Sequence, residues 1–180
     1  MYQIGWQRSL YGIIGVDIDS VTVIVSVFML GIGFGGILGG WIADRAPRRR
    51  IHFYAAAEIL IAAYGFGSLF LLEYMGNWLI KMGGAAAWGA IASFIFLVAP
   101  TTFMGLTLPL LTMAFNDRRK NIGVSVGHLY FFNTLGAAAG AGLVPFFFMP
   151  LISLDWVIRL AALGNLAVAV IVLLAHWRQG

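Results

Sequence analysis

Long apolar runs separated by short polar turns make up nearly all of this chain. Five of these runs exceed the roughly 20 residues that a helix needs to cross the hydrocarbon core of a bilayer. These predicted spans cover residues 21–43, 51–74, 86–115, 122–148 and 155–177. The stretch 1–16 is also apolar, but Gln3, Gln7 and Arg8 interrupt it. As a helix it would reach roughly 24 Å, which is less than the roughly 30 Å core.

The pattern therefore predicts an all-α fold, a polytopic transmembrane helix bundle with five full spans and a partial N-terminal helix. That first helix is interpreted either as the end of a span or as a helix lying in the membrane interface. Residues 1–180 form a single transmembrane domain in this prediction. Composition agrees, since 61% of the residues are hydrophobic and 10% are charged, against about 45–50% and about 25% in soluble domains.

Basic residues concentrate in the turns on one side of the predicted bundle. Eight of the eleven Lys and Arg residues fall there: Arg45, Arg48, Arg49, Arg50, Arg118, Arg119, Lys120 and Arg178. The positive-inside rule places this side, and with it the C-terminus, in the cytoplasm. This orientation signal accounts for the net charge of +4, so we expect the lipid bilayer as a partner and no nucleic acid. The chain has no cysteine, which excludes disulfides and thiolate chemistry.

Glycine recurs at helical spacing in two of the predicted spans. Gly31, Gly35 and Gly39 lie four residues apart, and Gly136 and Gly140 repeat that interval. Such spacing leaves a bare strip on one helix face, where a neighbouring helix can approach closely. We expect these strips to be helix-packing faces, and the alternative is that they flank a bound lipid, quinone or pigment. No metal site and no other cofactor is predicted.

Two prolines lie inside the predicted helix 86–115. Pro100 and Pro109 each free a backbone carbonyl, which a neighbouring group must satisfy within a membrane. The hydroxyls of Thr101, Thr102 and Thr107 are candidate donors for some of these hydrogen bonds.

Glu58 and His128 are predicted to form an intramembrane polar pair. Glu58 follows Arg50 by eight residues and His128 follows Lys120 by eight, so both lie at a depth of roughly 10–12 Å. Ionisable groups at such a depth face the bundle interior and have partners. One interpretation is a proton or substrate relay. We favour a static pair that locks two helices, because a single pair makes a poor pathway.

Further polar residues have two interpretations each. Asn133 and Thr134 either line a polar cavity or hydrogen-bond to another helix, which is the commoner role. His52 and His176 lie near the inner surface beside basic residues. They are metal or haem ligands only if the fold pairs them, and the sequence alone favours ordinary interfacial histidines.

Five segments carry a family likeness: YQIGWQRSL at 2–10, GGWIADR at 39–45, PTTFMGLTLPLL at 100–111, GHLYFFNTLGAAAGAG at 127–142 and LAALGNLAVAV at 160–170. They resemble the N-terminal membrane domain of bacterial proteins that fuse a membrane region to a spermidine-synthase-like domain. The resemblance implies a bacterial inner-membrane location. The segment 40–49 also resembles the cytoplasmic signature of major facilitator transporters, Gly-x-x-x-Asp-Arg-x-x-Arg-Arg. That likeness implies a conformational latch at Asp44, Arg45 and Arg48, whereas helix capping and orientation charge are the simpler interpretation, which we favour.

The chain departs from the first family at both ends. That family has more of its first helix before the Tyr-x-x-x-Trp-Gln-Arg segment and a methyl-donor-binding domain after its last helix. The sequence has no glycine-rich loop after a strand with a following acidic residue, and no Ser–His–Asp or His-Glu-x-x-His pattern. We therefore expect no enzymatic activity, aminopropyl transfer included. One interpretation of the abrupt ends is that the chain is a piece of a longer protein.

Two functional hypotheses follow from these patterns. The first is a non-catalytic membrane module, an accessory or scaffolding subunit that packs against other membrane subunits or a second copy. The second is a half-transporter of major facilitator type, which moves a small cationic solute such as a polyamine as a dimer. In that case Glu58→Gln would abolish uptake. The scarcity of polar residues near the membrane midplane favours the first hypothesis.

Overall fold

The computed structural model describes residues 1–15, 18–83 and 86–178, without the side chains of residues 18–20, 86, 118 and 119. Within these ranges the chain is helical apart from short turns, and it contains no strand. Seven α-helices occur in this part of the chain: α1 (Tyr2–Ile14), α2 (Ile18–Arg45), α3 (Arg50–Lys81), α4 (Ala86–Arg119), α5 (Ile122–Leu143), α6 (Met149–Leu151) and α7 (Leu154–Trp177). A 3₁₀ turn, Pro47–Arg49, joins α2 to α3, and a π-helical segment, Val144–Phe148, joins α5 to α6.

Five stretches of the described chain are long and apolar enough to cross a membrane. They are Val21–Arg45, Pro47–Lys81, Ala87–Asp117, Ile122–Leu151 and Leu154–Trp177. Together with α1 they confirm the predicted all-α transmembrane bundle of five spans and an additional N-terminal helix.

Two helices extend at least four residues beyond their predicted C-terminal ends. α3 and α4 continue beyond the predicted ends at residues 74 and 115, to Lys81 and Arg119. Polar residues after position 74 suggested a connection there, but Met75 and Leu79 are buried at helical spacing. The helix therefore continues because its inner face still packs against the bundle.

α5 ends earlier than predicted. Its regular hydrogen bonding stops at Leu143, and the π-helical segment follows, with Pro145 near its start. Because proline has no backbone N–H, the regular bonding pattern is interrupted at that point and a wider turn replaces it.

The spans do not contribute equally to the core. α2 lies along α4, and α3 packs against both α4 and α7. α5 packs mainly against α4. In the other four spans, 28–44% of the most apolar stretch is buried within the bundle, but in the span that contains α5 the share is 11%. α5 is therefore a peripheral helix with most of its surface uncovered.

The N-terminal helix α1 lies inside the bundle. Trp6 and Leu10 are fully buried, and α1 contacts α2, α3, α4 and α7. The indole N–H of Trp6 donates to Ser68 Oγ on α3 at 3.0 Å. The rings of Tyr64 and Phe96 meet the Trp6 ring edge-on at 5.7 Å, a favoured aromatic geometry. The interpretation of this segment as a helix in the membrane interface is therefore wrong.

A tyrosine, not a threonine, satisfies the carbonyl that Pro100 leaves free. Proline removes the N–H that would bond to the carbonyl four residues earlier, which is that of Phe96. The hydroxyl of Tyr64 on α3 donates to this oxygen. The nearby threonines bond elsewhere, since Thr101 donates to the Leu97 and Val98 carbonyls, Thr102 to that of Val98, and Thr107 to that of Met104. The candidate threonine donors are therefore wrong for this carbonyl, and the proline instead ties α4 to α3.

Candidate functional site

The glycine strip of α2 lies directly against α4. A Cβ atom built on Gly35 would come within 2.1 Å of the Thr102 carbonyl oxygen and 2.7 Å of Gly105 Cα. Cβ atoms on Gly31 and Gly39 would come within 1.9 and 2.7 Å of atoms in α4. At Gly35 the colliding atoms belong to the backbone, which a rotamer change cannot move aside. Only glycine fits there, so the strip allows α2 and α4 to pack backbone to backbone.

The glycine strip of α5 is in a different situation. A Cβ atom on Gly136 would meet nothing within 4 Å, and the same holds for Gly127. On Gly140 the nearest atom would be the backbone nitrogen of Met1, at 3.4 Å. Within the described part of the chain, no helix covers this strip as α4 covers that of α2.

α5 also carries polar side chains on its uncovered surface. Asn133 and Thr134 are exposed, and neither has a hydrogen-bond partner among the described residues. Asn133 lies eleven residues after the first residue of α5, which places it roughly 16 Å along the helix, near the middle of a bilayer core. An amide at this depth cannot hydrogen-bond to lipid tails.

The structure does not bring Glu58 and His128 together. Glu58 is buried in α3, one turn after the buried Tyr54. His128 is exposed on α5, and its Nδ1 lies 2.8 Å from the Val124 carbonyl oxygen. No ion pair joins the two among the described residues. α5 packs mainly against α4, and equal depth does not make two helices neighbours.

Arg50 lies at the centre of the charged end of the bundle. It is buried, and its Nε donates to the Ala43 carbonyl of α2 at 2.6 Å. Its Nη1 lies 2.5 Å from a carboxylate oxygen of Asp117 on α4. The residue four positions after Ala43 is Pro47, which has no N–H to offer that carbonyl. Arg50 thus caps α2 and links it to α4, and a cation is favourable at these helix C-termini.

The residues predicted to form a latch are placed differently. Asp44, Arg45 and Arg48 are all exposed, and no ion pair joins them within the described residues. The Arg45 guanidinium instead lies over the Trp41 ring, 4.0 Å from its centroid. The ion pair found at this end of the bundle is that of Arg50, and the prediction did not single it out. Pro47 was the signal in the sequence, because it leaves the last turn of α2 without a donor.

The two histidines near the same surface lie side by side. The rings of His52 on α3 and His176 on α7 meet edge-on, with their centroids 5.4 Å apart. His176 also lines a cavity of about 500 Å³ between the ends of α3, α4 and α7. Among the described residues, no group of three or more potential ligands could hold a metal ion. The fold thus pairs two histidines that the sequence alone left apart.

These features define an integral membrane helix bundle, with two helices locked by glycine contacts and one left largely uncovered. Comparison with known proteins adds one likeness. A triacylglyceride transporter of Mycolicibacterium hassiacum is 38% identical over 55 residues, which are 31% of this chain. The chain covers 10% of that transporter's length. No protein-family profile matches the chain, and no solved structure does. The transporter likeness and the apolar bundle both indicate a membrane protein.

Proposed function

We propose that this chain is a non-catalytic membrane module, an accessory or scaffolding subunit whose α5 packs against another membrane bundle. The observation that carries the proposal is the exposed amide of Asn133 at mid-membrane depth, without a partner in the described chain. An unsatisfied amide in hydrocarbon costs roughly several kcal/mol. A polar group on a neighbouring transmembrane helix removes that cost.

The surface around Asn133 suits a second helix. Gly136 follows it by three residues, and nothing in the described chain occupies the space beside that glycine. A helix can approach closely over such a position, as α4 does over the glycines of α2. The partner in this proposal is a second copy of the chain or another membrane subunit.

The proposed setting is the bacterial inner membrane, with the C-terminus in the cytoplasm. Support comes from the eight of eleven Lys and Arg residues on one side of the predicted spans. The resemblance to membrane-fused spermidine-synthase-like proteins supports the same setting. It also supports a non-catalytic role, since it involves the membrane part of those proteins only.

A half-transporter is the second candidate function. The supporting observation is that the partly matching relative is named a transporter. In this alternative, two bundles pair around a pathway at the membrane midplane. Asn133 would then face that pathway rather than a helix.

Two variants of α5 test the proposal, with a third as the control. Asn133→Leu and Gly136→Leu should each abolish the complex that the wild-type chain forms in membranes, as measured by crosslinking, mild-detergent purification and mass spectrometry. Gly33→Leu is the matched control, because Gly33 is an exposed glycine of α2 with nothing within 4 Å of its Cβ position. A wild-type chain that purifies as a strict monomer without a partner would overturn the proposal.

The same preparations distinguish the two candidates. A module that works by assembly alone gives no flux of small cationic solutes in proteoliposomes, whichever variant is used. A half-transporter gives flux that Glu58→Gln abolishes while the complex stays intact.

A further inference from the structure

The cavity between the ends of α3, α4 and α7 combines apolar walls with a positively charged mouth. Its volume is about 500 Å³, and Leu111 of α4 and Val172 of α7 contribute to the walls. Arg48 and His176 supply polar groups at its edge. A second cavity, of about 440 Å³, adjoins it at His176 and opens between α3 and α7. The two cavities share His176 in their walls and lie at the same end of the bundle.

The charges around this cavity do not cancel. The acidic residue that lines it is Asp117, and Arg50 already neutralises that carboxylate through the ion pair. Arg48 is exposed and has no ion-pair partner among the described residues. The cavity therefore presents an uncompensated guanidinium, with the imidazole of His176 beside it as a further hydrogen-bonding group.

An uncompensated guanidinium attracts anions, and the position of the cavity indicates which kind of anion fits there. It lies where three apolar spans end, at the level where a bilayer places its phosphates. Trp177, which lines the adjoining cavity, is largely exposed at the same level, as aromatic residues in the headgroup region are. An ion that is bound here needs an apolar part to fill the walls, and a phospholipid has one.

We infer that this cavity binds an anionic phospholipid, with Arg48 and His176 on its phosphate and the apolar walls along its acyl chains. The guanidinium makes charge-assisted hydrogen bonds to phosphate oxygens. The Arg50–Asp117 pair keeps the nearby carboxylate from repelling the headgroup. The inference is independent of the proposed role of α5, which lies elsewhere on the bundle.

Native mass spectrometry of the full-length protein in detergent tests the inference, with phosphatidylglycerol and phosphatidylcholine of identical acyl chains as probes. The wild-type protein should retain phosphatidylglycerol in preference. Arg48→Gln and His176→Gln should each weaken phosphatidylglycerol binding, about tenfold for the arginine. Phosphatidylcholine has the same phosphate, but its quaternary ammonium offsets the attraction to the guanidinium, so its binding should fall by less. Arg45→Gln is the control, because Arg45 carries the same charge near the same end but stacks on Trp41 outside the cavity.

Three results would overturn the inference. The first is equal retention of the two lipids by the wild-type protein. The second is an equal loss in Arg45→Gln and Arg48→Gln, which would indicate a general effect of surface charge. The third is displacement of the lipid by millimolar inorganic phosphate, which would indicate a free-anion site. If Arg48→Gln fails to fold by circular dichroism and gel filtration, His176→Gln decides the matter alone.

Discussion

Arg50 connects the ends of three helices through one side chain. It begins α3, caps the Ala43 carbonyl at the end of α2, and pairs with Asp117 near the end of α4. The two contacts differ in strength, because Arg50 is 8% exposed at its side chain while Asp117 is 55% exposed. Water screens a pair with one exposed partner, so the pair itself contributes about 1 kcal/mol or less. The bond to the carbonyl matters more, since a buried acceptor without a donor costs about 1–3 kcal/mol.

Arg50→Met should therefore lower the free energy of unfolding by roughly 2 kcal/mol, whereas Asp117→Asn should lower it by less than about 1 kcal/mol. Thermal or denaturant unfolding in detergent, followed by tryptophan fluorescence, measures both. Arg49→Met serves as the control, because Arg49 is exposed in the same turn and its side chain makes no hydrogen bond or ion pair in the described chain. A larger loss for Asp117→Asn than for Arg50→Met would show that the ion pair, and not the cap, holds this end together.

At the scale of elements, α2 and α4 behave as one unit. Their backbones meet at Gly35 and Gly105, where a Cβ on Gly105 would come within 2.3 Å of the Ile32 carbonyl oxygen. The close approach is reciprocal, so neither helix can rotate or slide without collision. Any rearrangement of the bundle must therefore move these two helices together, while α5, with few packed neighbours, can shift separately.

Gly35→Ala should destabilise the protein by about 1–3 kcal/mol, because the methyl group would collide with the Thr102 carbonyl and force the helices apart. Gly36→Ala is a close control. Gly36 is the next residue of the same helix, and nothing lies within 4 Å of its Cβ position. That change should leave the melting temperature unchanged or raise it, since alanine favours helix over glycine. Equal melting temperatures for the two variants would contradict the packing described here.

At the scale of the whole molecule, the positive-inside rule gives a testable orientation. The chain contains no cysteine, so introduced thiols report on single positions without background. Lys81→Cys, at the end of α3, should react with a membrane-impermeant maleimide in intact cells. Arg178→Cys, after α7, should react only once the membrane is permeabilised. The opposite labelling pattern would reverse the proposed topology.

The sequence predicts the class of fold well because apolar length is a local property. Five spans and the close-packing glycines of α2 can be recognised without knowing which helices touch. Contacts between helices are a different matter, as Glu58 and His128 show, since equal depth says nothing about which helices are adjacent. Gly35 and Gly136 show the same limit of sequence-based prediction. Both belong to glycine repeats of the same spacing, but a neighbouring helix lies against Gly35 and none lies against Gly136 in the described chain. Arg50 is one of three consecutive arginines, and only the position of α4 shows that it is the one that pairs with Asp117.

The uncovered surface of α5 has a consequence for how the protein is made and kept in cells. A newly inserted chain that has not met its partner would expose the Asn133 amide to lipid, and such a chain is a natural target for membrane proteases. Its abundance would then follow the supply of the partner rather than the strength of its own expression. For the case in which the proposed partner is another membrane subunit, overproduction of this chain alone would yield a short-lived orphan subunit, and co-expression with that subunit would make it long-lived. For the case of a second copy, overproduction would itself supply the partner.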